Sequence, residues 1–205
     1  MAVLTRTKKD VVTEFRCSEI TRAARTVFAV KGYEAATVDE IAELAGVAKG
    51  TIYCYFPSKF ELFIGTLRGG MLELQELTAV NLAAAAGAHA KIRAFIRTRL
   101  EYSEQNREFF RIYFTEFSKV ALQPSPVREE FQDIYHSQAR ALEAVLLEGI
   151  RHGEIRDVPA LRAAYLIYEA TRSTIAHRIQ GWDTATVEQS EQTLLDLIWR
   201  GFECR

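Results

Sequence analysis

The sequence predicts an all-α fold of about nine helices, on three observations. Apolar residues recur at three- and four-residue intervals along most of the 205 residues, which is the spacing of helices with one buried face. Cap residues stand just ahead of several of these periodic segments. No Asn-Gly or Asp-Gly hairpin signal occurs, and no alternating strand pattern is sustained.

The first 60 residues predict three helices, of which the second and third are short. The first carries a buried face and ends at Gly32, which can adopt the left-handed conformation that closes a helix. The second begins with Thr37-Val38-Asp39-Glu40, a capping box in which side chains satisfy the free amides of the first turn. Gly46 allows a tight reversal, and a third helix then runs from Lys49 to Phe56. Pro57 ends it.

A much longer helical segment follows. Ser58-Lys59-Phe60-Glu61 is a second capping box, and the apolar period that it opens continues to about Ala84. Five further segments are predicted at about 88–104, 107–119, 127–152, 159–180 and 185–203. We therefore divide the chain into a helix-turn-helix unit, residues 1–60, and a larger helical bundle, residues 61–205.

Composition and charge exclude several classes of protein. With 26 basic and 27 acidic residues the net charge is −1, so any attraction to nucleic acid must be local. Three distant cysteines argue against a disulfide framework and for a reducing compartment, and no signal peptide or membrane span is evident, so we expect a cytoplasmic protein. The four histidines show no metal-binding spacing, and no phosphate loop or nucleophile motif occurs. We expect neither an enzyme nor a metal or cofactor.

The second and third helices, joined by a glycine turn, form a helix-turn-helix whose later helix can enter the major groove. Ile52 and Phe56 should point inward, which leaves the rest of that helix outward. Gly50 permits close approach to a backbone, and the Thr51 hydroxyl and methyl can read a base edge. Tyr53 can contact a base or a phosphate.

The segment TVDEIAELAGVAKGTIYCYFPSKFELF resembles the N-terminal domain of TetR-family transcriptional regulators over about residues 16–66. The resemblance implies a dimeric repressor with a C-terminal ligand-binding domain. The positions that contact DNA in the family correspond to Thr37, Lys49, Gly50, Thr51, Tyr53, Tyr55 and Lys59. Two positions depart from the pattern: Ala48 replaces a frequent capping serine, and Cys54 replaces a larger residue. Tyr55 could instead pack against neighbouring helices.

The predicted bundle is rich in aromatic residues, which favours a small apolar or aromatic effector. In the family the ligand lies among the middle helices of this domain. Our candidate ligand-binding residues are polar or aromatic side chains in or beside apolar faces: Arg99, Tyr102, Phe114, Phe117, His136, Tyr168 and Arg172. A surface ion pair or a satisfied core group remains an alternative for each polar one.

Two expectations concern assembly and control. The last two helices should pair with those of a second copy, with dimer contacts from Leu194, Leu195, Ile198 and Phe202. The adjacent Gly69 and Gly70 lie inside the long helix, where we expect a bend that transmits the effector signal.

The sequence therefore predicts a ligand-responsive repressor that binds a palindromic operator as a homodimer. The alternative is a helical protein-interaction module that has lost operator binding.

Overall fold

The computed structural model of the protein describes residues 8–117 and 126–202, and these residues form helices without any β-strand. The all-α prediction is confirmed, with nine α-helices in the described ranges. They are α1 (Lys8–Ala35), α2 (Val38–Ala45), α3 (Lys49–Tyr55), α4 (Lys59–Ala84), α5 (Gly87–Gln105), α6 (Arg107–Ile112), α7 (Pro126–Arg151), α8 (Ala160–Ile179) and α9 (Val187–Phe202).

Helices α1 to α3, which we call the head, follow the predicted caps. The helical path of α1 breaks at Gly32 (φ 75°, ψ 172°). The amide of Glu40 donates to the Thr37 hydroxyl at 3.3 Å, and the amide of Thr37 donates to the Glu40 carboxylate at 3.1 Å, which completes the capping box. Gly46 is left-handed (φ 65°, ψ 33°) and turns the chain from α2 into α3. Ala48 precedes α3 without a side-chain cap.

Helix α4 connects the head to the body, our name for α4 to α9. Ser58 caps it by accepting a 3.1 Å hydrogen bond from the amide of Glu61. The helix then runs without interruption through Gly69 and Gly70 and packs against both α1 and α5. An added Cβ at Gly65 would lie 2.7 Å from a ring carbon of Phe56, so this glycine allows the Phe56 ring to pack closely against α4.

The body surrounds one buried cluster that is continuous with the core of the head, from Ile20 in α1 to Leu195 in α9. Helix α6 lies against α1. A single helix was predicted over residues 107–119. The α-helix instead ends at Ile112 and continues as one π-helical turn, Tyr113–Phe117. Such turns widen a helix locally and are frequent at functional sites.

No helix within the two described ranges is long and apolar enough to cross a membrane.

Candidate functional sites

Helix α3 presents a compact exposed surface. Ile52 is 1% exposed and anchors the helix in the core. The side chains of Lys49, Tyr53 and Cys54 are exposed, as is Gly50, and Thr51 is half-buried on the same short helix. The ring of Tyr55 is partly buried against the core, so packing accounts for part of its role. Thr37 is exposed at the start of α2, where its hydroxyl already serves as the cap.

The two lysines that were predicted to contact DNA, Lys49 and Lys59, are the first residues of α3 and α4. The ammonium of Lys49 donates to Asp39 at 2.8 Å in an exposed ion pair, and this hydrogen bond raises the pKa of Lys49. Lys59 donates to the backbone oxygen of Glu34 at 2.9 Å and lies 4.7 Å from the centre of the Tyr33 ring. These contacts hold both cations at the edge of α3 before any DNA is bound.

The body contains an aromatic cleft of about 290 Å³ between the π-helical turn, α7 and α8. Its lining residues, which define the term aromatic cleft below, are Tyr113, Phe117, Arg128, Phe131, Gln132, Tyr135, Glu169 and Arg172. Two predicted ligand-binding residues, Phe117 and Arg172, are among them. A groove of about 350 Å³ beside His89 and Trp199 is larger, but most of its lining is charged or polar. Apolar ligands require apolar walls, which favours the aromatic cleft.

Two other predicted residues are buried behind this cleft. Arg99 is 3% exposed, and its guanidinium lies 4.5 Å from the centre of the Tyr168 ring and 5.1 Å from that of Phe95. It donates a hydrogen bond to the side-chain oxygen of Gln138. Tyr168 in turn packs edge-on against Tyr135 of the cleft, with ring centres 4.8 Å apart. The residues Phe95, Arg99, Gln138 and Tyr168 are called the Arg99 cluster below.

The remaining three predicted ligand-binding residues are engaged outside the lining of the cleft. The Tyr102 hydroxyl donates to Glu73 at 2.8 Å and lies 3.2 Å from the backbone oxygen of Gly70, both in α4. His136 is exposed and its ring nitrogen lies 2.8 Å from the hydroxyl of Tyr165. Phe114 packs at right angles against Tyr113, with ring centres 5.3 Å apart.

Sequence reasoning missed Tyr113, Gln138 and Glu169 as site residues. Burial raises the pKa of Tyr113 to about 12, against the opposing charges of Arg172 and Arg99, so its hydroxyl stays protonated even near pH 10, where an exposed tyrosine ionises. Gln138 carried a usable signal, because it lies at helical spacing from Phe131, Ile134 and Leu142 on the buried face of α7. A polar residue on an apolar stripe needs a partner.

The head also matches a known family of proteins. Residues 20–65 match the model for bacterial regulatory proteins of the tetR family. The head of the chain belongs to the TetR family. It is 27% identical over 184 residues to the fatty acid metabolism regulator protein of Bacillus subtilis (strain 168), covering 89% of this chain and 93% of that protein. It is 24% identical over 191 residues to the transcriptional repressor KstR2 of Rhodococcus jostii (strain RHA1), covering 91% and 90%.

Solved structures share the fold of this TetR-family regulator. FadR from Bacillus subtilis, in complex with stearoyl-CoA, superposes with a TM-score of 0.79 at 24% identity, over 91% of this chain and 99% of that one. A putative regulator from Saccharomonospora viridis, in complex with choline, gives 0.82 at 20% identity, over 94% and 99%. The curated relatives are transcriptional regulators, so the TetR-family protein is a transcriptional regulator and not an enzyme.

The structure corrects part of the predicted dimer contacts of this TetR-family regulator. Leu194 and Leu195 are 7% and 1% exposed because they pack into the core of their own chain, so they are not available to a second copy. Ile198 is half-buried, and the side chain of Phe202 lies outside what the structure describes. Among the described side chains of the last two helices, the large apolar ones that are exposed are Leu166 in α8 and Leu197 in α9, at 71% and 67%.

Proposed function

We propose that this protein is a ligand-responsive repressor that binds a palindromic operator as a homodimer and is released by a small apolar or aromatic effector. The observation that carries the proposal is the exposed face of α3. Its base-reading candidates, Thr51 and Tyr53, are held by the buried Ile52, with Lys49 at one end. Rigid placement of a short helix with cations at its edge suits entry into a major groove.

A palindromic operator requires two heads related by a two-fold axis. The unpartnered leucines Leu166 and Leu197 support pairing through α8 and α9. Large apolar side chains with this exposure, on adjacent packed helices, are typical of a surface that a second helical pair covers.

The aromatic cleft supports the effector. Its walls include Phe117, Phe131 and Tyr135, and its volume of about 290 Å³ suits a small molecule. The relative named for fatty acid metabolism and the FadR complex with stearoyl-CoA are consistent with an apolar ligand in this fold. The π-helical turn on the cleft wall belongs to the same segment as α6, which lies against the head, so the effector has a short route to α1.

The experiment is selection of duplexes from a random library, followed by fluorescence anisotropy on the enriched sequence and on a scrambled one. We expect enrichment of a palindrome. Thr51→Ala should reduce the preference for the enriched sequence, because it removes a base contact. Lys59→Ala should weaken both duplexes alike and lower the salt slope by about 1, because it removes a phosphate contact.

Two matched controls lie in the body. Thr174→Ala removes an exposed hydroxyl that bonds only its own helix, and Lys91→Ala removes a lysine that pairs with Glu148. Neither should change DNA binding. Failure to enrich any duplex would favour the alternative function, a helical protein-interaction module.

A further inference from the structure

The Arg99 cluster contains a buried cation without a matching anion. Arg99 is 3% exposed, and no carboxylate of the described residues pairs with its guanidinium. Residues 118–125, SKVALQPS, which follow the π-helical turn in the sequence, contain no acidic side chain. A buried guanidinium needs a counter-charge, because removing it from water is costly and only an ion pair with good hydrogen bonds offsets that cost.

Arg178 shows how the same fold treats another buried arginine. It is 8% exposed, and its guanidinium pairs with Glu104 and also bonds the hydroxyl of Ser190 at 3.2 Å. That arginine therefore has the internal carboxylate that Arg99 lacks. The contrast indicates that the counter-charge of Arg99 comes from a molecule outside the chain.

Two buried donors in the Arg99 cluster also lack acceptors. Within the described residues, Nε of Arg99 and Nε2 of Gln138 make no hydrogen bond. The rings of Phe95 and Tyr168 lie against the guanidinium face, where they offset part of its charge but accept no in-plane hydrogen bond. Two unsatisfied donors on adjacent side chains complement a group with two acceptor oxygens.

The cluster lies one ring behind the aromatic cleft. Tyr168 separates Arg99 from Tyr135, and Tyr135 is half-buried at the cleft wall. Displacement of both rings, Tyr135 and Tyr168, would connect the cleft to the guanidinium. The cleft, whose lining also contains Arg128 and the Arg172–Glu169 ion pair, would then have the buried cation of Arg99 at its inner end.

We propose that the effector is a small organic carboxylate, with its acid group bound by Arg99 and Gln138 and its apolar body held in the aromatic cleft. This inference rests on the effector-binding function proposed above and names the chemical class of the ligand. Arg99 supplies the charge, and the amide nitrogen of Gln138 supplies a second donor. A neutral ligand of the same shape would leave the guanidinium without a counter-charge.

The first test compares acids with their neutral amides. Titration calorimetry of the full-length protein would use 3-phenylpropionate and octanoate, each beside its primary amide, at neutral pH. We expect at least one acid to bind, at least about tenfold more tightly than its amide, because a charge-assisted contact is lost in the amide. Equal affinities for acid and amide, or no binding of either acid, would overturn the inference.

The second test uses two variants that should keep or raise the Tm and one control that should lower it. Arg99→Met should reduce acid affinity at least about tenfold without lowering the Tm, because it removes an uncompensated buried charge. Gln138→Glu should raise the Tm and also abolish acid binding, because its carboxylate pairs with Arg99 inside the chain. Arg178→Met is the matched control: it should lower the Tm, since it removes the contacts of Arg178 with Glu104 and Ser190 and leaves Glu104 with Arg107 alone, and should not change acid affinity in the protein that remains folded.

An Arg99→Met protein with wild-type acid affinity would overturn the inference. So would a Gln138→Glu protein that still binds the acid. These titrations need no DNA, so the two proposals fail separately. If the protein binds the acids but no operator, only the repressor function is contradicted. If it binds an operator and no acid changes that binding, only the carboxylate effector is contradicted.

Discussion

At the scale of single residues, Asp39 restrains a cation on the surface that we propose contacts DNA. Its carboxylate lies 2.8 Å from the ammonium of Lys49, and both side chains are exposed. The carboxylate repels phosphate and competes with it for Lys49. We expect Asp39→Asn to tighten operator binding about two- to fivefold at low salt, with a smaller gain at high salt. Anisotropy titrations at two salt concentrations measure this.

The control for charge alone is Asp133→Asn, which makes the same change at an exposed position of α7 in the body. It should leave operator affinity nearly unchanged. Equal gains from both substitutions would mean that net charge, rather than the release of Lys49, determines the effect.

Tyr113 gives a pH dependence with a defined sign. Burial raises the pKa of its hydroxyl to about 12, whereas tyrosine in an unfolded chain ionises near pH 10. The stability that this difference contributes is fully present below about pH 10 and is lost as the pH rises towards 12. Tyr113→Phe should therefore lose less stability over that interval than the wild type. Urea unfolding at about pH 8, 10 and 11 measures the slope.

Tyr53→Phe is the matched control, because Tyr53 is 42% exposed on α3. Its slope should follow the wild type. A Tyr113→Phe protein with the wild-type slope would contradict the assignment of this alkaline loss to Tyr113.

At the scale of helices, the adjacent glycines of α4 have different environments. An added Cβ at Gly70 would lie 2.5 Å from a ring carbon of Phe109, whereas one at Gly69 would meet nothing within 4 Å. Close packing thus explains Gly70, and α4 shows no interruption at the expected bend. Gly69→Ala should stabilise the fold by about 0.5–1 kcal/mol, since alanine is the better helix former. Gly70→Ala should destabilise it by about 1–3 kcal/mol through overpacking.

Urea unfolding of the two variants checks this pair. Stabilisation by both would mean that Phe109 moves aside freely. Destabilisation by Gly69→Ala would indicate that this position needs the conformational freedom of glycine, and would support the predicted bend in α4.

These glycines show how far sequence reasoning extended. The capping box at Thr37, the turn at Gly46 and the start of α4 at Ser58 were predicted correctly, because each depends on residues three or four positions away. The reason for Gly70 was not predictable, because its neighbour Phe109 lies on another helix. Periodicity likewise identified the apolar face of Leu194 and Leu195 but not whether their own chain buries it.

The candidate sites show the same limit. The exposed residues of α3 follow from one short helix and one buried anchor, Ile52, so the sequence was sufficient to group them. The aromatic cleft and the Arg99 cluster bring together α5, the π-helical turn, α7 and α8, whose relative rotation no local pattern determines. Apolar surroundings in the sequence were enough to select four of these residues, Arg99, Phe117, Tyr168 and Arg172. The sequence did not predict which side chains each of them contacts.

At the scale of the whole molecule, the proposed dimer can be tested at Leu197. The side chain is 67% exposed in a helix whose neighbouring leucines are buried, so a charge there should not disturb the core. Leu197→Asp should give monomers at micromolar concentration, because it places a carboxylate in an apolar helix pair. Light scattering with size-exclusion chromatography measures the mass.

Leu72→Asp, at a leucine that is 47% exposed on α4, is the matched control and should remain dimeric. A Leu197→Asp protein that is still dimeric would place the interface elsewhere. If both substitutions give monomers, a new surface charge at either position disrupts the dimer, and the result does not locate the interface at Leu197.

The last prediction concerns the route from the effector to DNA. The π-helical turn lines the aromatic cleft, and α6 directly before it lies against α1 of the head. Arg25 of α1 makes this contact: it donates to Asn106 at 2.9 Å and lies 5.3 Å from the centre of the Phe109 ring. A ligand that moves the turn would therefore pull on α1 as well as on α4.

Arg25→Met should leave operator affinity without ligand almost unchanged but blunt release by the acid that binds best in calorimetry, because only the coupling is removed. Anisotropy on the operator, with and without that acid, measures both quantities. Arg22→Met is the control, since Arg22 is an exposed arginine of α1 that pairs with Glu19. If the acid releases the Arg25→Met protein from the operator at the same concentration as the wild type, the contact between α6 and α1 carries no measurable coupling. The signal would then pass through α4.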